Sequence, residues 1–155
     1  MSKFNFKRVI DNIEQVKRDL PRLLANDAQN YFLGAFNNQG WDGKSWAEVQ
    51  RREPDTNAYK YPKDKGLSRR TKNIGISTGR MRREVSNIAG KASISTTQNN
   101  FTVRLRVDSG IVPYAGYFND GTSKMVARPF MKDSPALRRI LINRVKTYMD
   151  RTWKA

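Results

Sequence analysis

Ala92-Ser93-Ile94-Ser95-Thr96-Thr97-Gln98-Asn99-Asn100-Phe101-Thr102-Val103-Arg104-Leu105-Arg106-Val107 is the stretch that decides the fold class. Apolar and polar residues alternate on either side of Asn99-Asn100: Ala92 and Ile94 before it, then Phe101, Val103, Leu105 and Val107 after it. Successive side chains of a strand point to opposite faces, so a period of two predicts a hairpin. One of its faces is expected in the core, and the other, carrying Thr102, Arg104 and Arg106, in solvent. Helical periods flank this hairpin in both directions, which makes the chain α+β.

Towards the N-terminus, Ile10, Ile13, Val16, Leu20, Leu23, Leu24, Ala28, Tyr31, Phe32, Ala35 and Phe36 keep helical spacing along one apolar face. Proline suits the first turn of a helix and breaks its interior. Pro21 therefore predicts two helices, one up to about Leu20 and a second starting near Pro21 with Asp19 as its cap, ended by Asn37-Asn38-Gln39-Gly40. Further on, Met81, Val85 and Ile88 are spaced i, i+4, i+7, a short helix capped by Ser77 or Thr78 and closed by Gly90.

Residues 111–118 read as another extended segment, which Pro113 makes an edge strand or the start of one, with Asn119-Asp120-Gly121-Thr122 ending it. Ser134 as cap and Pro135 in the first turn then open a last helix with Leu137, Ile140, Leu141, Val145, Tyr148 and Met149 on one face. The expected architecture is α+β, with N-terminal helices and a C-terminal helix packed on a small, mainly antiparallel sheet. A length of 155 residues fits one domain over 1–155.

Composition narrows the chemistry. The chain has neither cysteine nor histidine, which removes disulfides, thiolate metal sites and the commonest general base and metal ligand. No pair of acids stands at metal-ligand spacing within one element. Pro54-Asp55 followed by Lys63-Asp64-Lys65 resembles a nuclease core only faintly, because that pattern needs an acid, any residue and then Lys, and Asp64 is followed by Lys65-Gly66. Asp42-Gly43-Lys44 and Asp120-Gly121-Thr122 lack the glycine spacing of a phosphate loop and read as turns. An enzyme is not expected, nor is any cofactor or metal. Met1-Ser2-Lys3-Phe4-Asn5-Phe6 lacks the apolar run of a signal peptide, and no stretch approaches the roughly 18 apolar residues of a membrane span. The expected place of synthesis is a cytoplasm, without membrane contact.

Mean hydropathy is −0.77 with 28% charged residues, which implies thin core elements between long polar loops. Net charge is +16, and it is uneven: residues 1–43 carry net +1, residues 44–155 net +15. Such an excess attracts polyanions or an acidic face of a neighbouring protein. Much of it lies in a loop over 47–76 that shows no sustained period, at Arg51, Arg52, Lys60, Lys63, Lys65, Arg69, Arg70 and Lys72, interleaved with Tyr59 and Tyr61. Cations mixed with aromatic rings suit single-stranded nucleic acid, and a polar loop of this length also suits ordering on assembly.

Several landmarks occur in one order. A helix ending in Phe36 leads into Gly40-Trp41-Asp42-Gly43-Lys44-Ser45-Trp46, and a basic loop leads into Thr78-Gly79-Arg80-Met81. The hairpin follows, then Tyr114-Ala115 with Gly121-Thr122, then Ala127-Arg128-Pro129-Phe130 before the last helix. This order resembles the phage virion morphogenesis family of Mu-like tail-completion and neck proteins, over about residues 31–142. Met81 stands where that family usually has leucine, Glu84 where it often has a small hydroxyl residue, and the 47–76 loop is longer and more basic.

The resemblance implies a structural virion protein of a tailed bacteriophage, made in the host bacterial cytoplasm. It would form a homo-oligomeric ring with other neck and tail proteins and help to join head to tail. The residues it singles out are Trp41, Gly43, Trp46, Thr78, Gly79, Met81, Tyr114, Ala115, Gly121, Thr122, Arg128 and Phe130. The basic loop residues, with Arg104 and Arg106, would then meet packaged DNA or an acidic partner. The alternative reading is a non-specific basic DNA-binding module.

Overall fold

Leu20, Ala25, Ala28, Phe32, Ala35 and Phe36 are all buried, and at steps of five, three, four, three and one residues they line one side of a single helix, α1. In the computed structural model, which describes residues 5–61, 70–76, 78–97 and 100–154, α1 runs unbroken over Phe6–Asn38. Two helices were expected; Pro21 instead lies inside one. Proline in a helix interior costs about 3 kcal/mol through a lost hydrogen bond and a clash with the preceding turn. Here Pro21 is itself fully buried between Leu20 and Ala25, and burial offsets that cost. Asp19 is no cap either: its carboxylate accepts from Arg18 Nε at 2.9 Å and from the Tyr148 hydroxyl at 3.2 Å.

Beyond α1 the order is β1 (Gly40–Trp41), β2 (Lys44–Ser45), a 3-10 turn (Gln50–Arg52), α2 (Asn57–Lys60), α3 (Arg80–Val85), β3 (Ser93–Thr96), β4 (Phe101–Arg104), α4 (Ala115–Asp120) and α5 (Pro135–Lys154). The protein is α+β, about 53% helical, with two small antiparallel ribbons where one sheet was expected. Within the 47–76 loop the 3-10 turn and α2 are regular, α2 being capped by Thr56 Oγ1, which accepts from Tyr59 N at 3.3 Å.

The deciding hairpin is present, with Ile94 opposite Val103 and Thr96 opposite Phe101. Its apolar face is not core, however. All of β3 is exposed, Phe101 and Val103 are half-buried, and Leu105 and Val107 lie beyond the strand. A two-stranded ribbon of four-residue strands has too little surface to seal a face by itself. Residues 111–118 are not a strand. Val112 N donates to Asp108 O at 2.8 Å and Ala115 N to Val112 O at 3.1 Å, a turn that runs into α4. Val112, Ala115 and Phe118, three apart, are the buried residues, and Pro113 fits the turn ahead of the helix. Similarly α3 stops at Val85 instead of reaching Gly90, although Ile88 remains fully buried in the turns that follow. Its N-cap is Gly79, Thr78 Oγ1 lying 3.4 Å from Arg80 N, and Ser77 falls outside the described residues.

The chain forms two compact units, each drawn from separated stretches. Unit 1 comprises Met1–Asn30, Ile88–Arg106 and Ser134–Ala155, and unit 2 comprises Tyr31–Asn87 and Val107–Asp133. In unit 1, α5 is tied to α1 by Arg144, whose guanidinium donates to both Asp27 oxygens at 2.6 and 2.8 Å, and by Asn12 Nδ2 donating to Thr152 O at 3.0 Å. Its start is capped as expected, Leu137 N donating to Ser134 Oγ at 3.1 Å, but of the apolar face only Leu137 is buried. Unit 2 has the aromatic core: Phe32, Phe36, Trp46, Phe118 and Phe130, with Ile74, Met81, Val85 and Val112.

Candidate functional site

Every residue that the family resemblance singles out belongs to unit 2. The first landmark turns at Asp42 and Gly43, which have φ of 48° and 77°. Two successive positive φ angles form the tight turn whose twist matches a hairpin, and an Asp-Gly pair adopts them readily. That turn lays Trp41 on the end of α1, edge-on to Tyr31 at 5.3 Å between ring centres and stacked on Phe32 at 6.1 Å, while the Tyr31 hydroxyl bonds to the Asp42 carboxylate.

Trp46 enters the core. Its ring meets Phe36 at 5.6 Å and Phe118 at 5.4 Å, both edge-on, and its Nε1 donates to Pro129 O at 2.7 Å. Phe130 closes the cluster, 5.3 Å from Phe36 and 6.1 Å from Phe118. Edge-to-face ring pairs contribute about 0.5–1.5 kcal/mol each beyond the area they bury. Beside them Arg128 is 7% exposed and spreads its guanidinium over three carbonyls: Nε to Ala47 at 3.0 Å, Nη2 to Glu48 at 2.9 Å and Nη1 to Val126 at 3.3 Å. Burial lowers the pKa of Arg128, against the pull of Glu48. The Glu48 carboxyl is held below its ordinary value, first by the hydrogen bond from Val49 N and then by Arg52.

Comparison with protein-family models, curated proteins and solved structures finds no match.

The glycines differ in what they do. Gly121 has φ 79° and ψ 178°, and a Cβ there would lie 2.8 Å from Ala127 N and 2.9 Å from Met125 O, so only glycine fits. Gly79 has φ 69° with open space around it, so its role is backbone conformation. Met81 and Ala115 are buried, whereas Thr78, Tyr114 and Thr122 are exposed. Two residues outside the landmarks hold the same frame. Gln39 pairs with the Ile74 backbone in both directions, Oε1 accepting from Ile74 N at 2.6 Å and Nε2 donating to Ile74 O at 3.2 Å. Asn119 Oδ1 accepts from Phe130 N and Met131 N, each at 3.0 Å. An asparagine just past a buried Phe118 was a signal for the second; nothing local marks Gln39.

The basic loop is partly turned inward. Arg51 Nη2 donates to Lys72 O at 3.1 Å, and Arg52 donates to Arg70 O at 3.0 Å, to Lys72 O at 3.2 Å and to the Glu48 carboxylate at 3.3 Å. Arg70 lies over the Tyr59 ring, 3.7 Å from its centre, and bonds to the Tyr59 carbonyl. These arginines clamp residues 48–60 to 70–72. Lys60 and Tyr61 are exposed, and Lys63, Lys65 and Arg69 lie outside the described residues. Arg104 and Arg106 are exposed in unit 1, apart from this loop's unit. Among the described residues no group of three or more acids could hold a metal ion, and no helix is long and apolar enough to cross a membrane.

Proposed function

We propose that this chain is a structural virion protein of a tailed bacteriophage, a neck or tail-completion subunit that assembles into a ring with copies of itself and helps to join head to tail. The observation that carries this reading is the convergence of the landmarks. Trp46 lies more than eighty residues from Arg128 and Phe130 in the chain, yet the three form one frame, Arg128 gripping the carbonyls that directly follow Trp46. A subunit whose work is assembly needs such a rigid frame beneath an exposed surface. Ile111, Tyr114, Tyr117 and Val126 supply exposed apolar and aromatic groups in the same unit. Closed cyclic symmetry would use the same two patches on every copy, and the net charge of +16 suits a lumen through which DNA passes or an acidic neighbouring ring.

The test is assembly. The purified chain, alone and co-expressed with the structural proteins encoded beside its gene, is examined by native mass spectrometry and negative-stain microscopy. The expected result is a closed ring of one copy number, recovered in tailed particles. A monomer at every concentration, missing from the particles, would overturn the reading. The charge also favours a free-standing, non-specific basic DNA-binding module, which would show as salt-sensitive binding of any duplex by a chain that stays monomeric.

A further inference from the structure

The groove between α1 and α5 within unit 1 has a volume of about 500 Å³. Arg8, Asn12 and Gln15 line it from α1, four and three residues apart, and Arg144, Thr147 and Arg151 line it from α5, three and four apart. Residues so spaced share one face of a helix. In most helix pairs these facing positions would be apolar; here they are guanidinium, amide and hydroxyl. Leu23 is the only aliphatic residue lining the groove, and no carboxylate lines it, among the described residues.

The three arginines are differently committed. Arg144 is fixed by its two bonds to Asp27, and Asp19 similarly holds the Tyr148 hydroxyl. The guanidiniums of Arg8 and Arg151 have no partner among the described residues, and both side chains are exposed. Each therefore presents its five N–H donors to solvent in a planar fork, the geometry that binds phosphate oxygens in pairs. The stretches of unit 1 hold 15 Lys and Arg against 5 Asp and Glu, so the surrounding field favours a polyanion.

The geometry points to this groove as a binding site for the phosphodiester backbone of a nucleic acid, with Arg8 and Arg151 as the phosphate-binding side chains. A free phosphate ion is too small for it: Arg144 to Arg151 covers about 10 Å of helix axis. An acidic amphipathic peptide needs apolar seats, and Leu23 offers one. Among the described residues, none of the 47–76 loop and neither Arg104 nor Arg106 lines the groove, and the inference does not rest on the virion reading, because it concerns what the unassembled chain binds.

The experiment measures fluorescence anisotropy of a labelled random-sequence duplex with the full chain across a salt series. Replacing both residues (Arg8→Gln with Arg151→Gln) is expected to weaken binding at least tenfold at low salt and to lower the salt slope by about 1.8, since each lost phosphate contact removes about 0.9. Arg139→Gln with Lys146→Gln removes the same charge from exposed α5 residues that do not line the groove and serves as the control. Equal losses in the two double variants would overturn the proposal, because they would show binding by diffuse charge alone. Competition by inorganic phosphate or by polyglutamate as strong as by unlabelled DNA would overturn it too. A readout on the unaltered protein is arginine modification by phenylglyoxal with mass spectrometry. Bound DNA is expected to protect Arg8 and Arg151, and undiminished reactivity at both would reject the site whatever the variants do. Ring formation is read by neither measurement, so failure here and failure of the assembly reading are distinguishable.

Discussion

Arg128 turns three backbone carbonyls inward and satisfies all of them from one side chain. Removing it leaves those acceptors without their donor in a place water reaches poorly. Arg128→Ala is therefore expected to lower stability by about 3 kcal/mol in urea denaturation, the usual consequence of breaking a buried charged network. Lysine keeps the charge but cannot span carbonyls on both sides of the fork, so Arg128→Lys should recover less than half of that loss. Wild-type stability in the lysine variant would show that charge alone, and not the planar fork, holds residues 47–48 to 126–128. Trp46 and Phe130 are read the same way: each is a landmark because the frame closes through it.

Helix α5 begins where a local signal says it should. Ser134 is fully buried and its Oγ accepts the Leu137 N–H, so Ser134→Ala is expected to cost about 1 kcal/mol in thermal unfolding, with Ser134→Thr retaining most of the stability. No loss in the alanine variant would mean that Pro135 alone starts the helix. Cap, turn and hairpin signals of this kind are local chemistry, which is why α5, the β3–β4 ribbon and the Asp42-Gly43 turn were legible in the sequence. Where the structure departs from the sequence reading, a distant contact outweighs a local preference. Burial keeps α1 whole across Pro21, and three buried residues make residues 112–118 turn and helix even though Ile111 and Pro113 suggest a strand. The landmarks of the candidate frame were legible as types of residue, but their partners were not. That Arg128 seeks carbonyls some eighty positions away, or that Arg52 and Arg70 bind their own chain, has no trace in spacing.

Across the whole molecule the absence of histidine and cysteine leaves no side chain of ordinary pKa titrating between about pH 5 and 8. Asp19, chiefly through Arg18, and Glu48, chiefly through Val49 N, are held below their ordinary values of 3.8 and 4.5. A depressed carboxylate contributes stability above its unfolded pKa and loses it as pH falls through the folded one. Tyr148 is raised above 10.0, mainly by burial, so its contribution is present below that value and lost as pH rises through the folded one. The melting temperature should thus be flat from about pH 5.5 to 8.5 and fall below about 4 and above about 10. A slope of several degrees across neutrality in calorimetry would contradict this. The division into units also orders events on the ribosome. Every residue of unit 2 has been made once Asp133 is joined, whereas unit 1 still lacks Ser134–Ala155. At roughly 5–20 residues per second that last stretch takes about 1–4 s. Asp19 and Asp27 thus await Tyr148 and Arg144 after the last residue of unit 2 has been joined, so the half of the protein begun first is the half finished last.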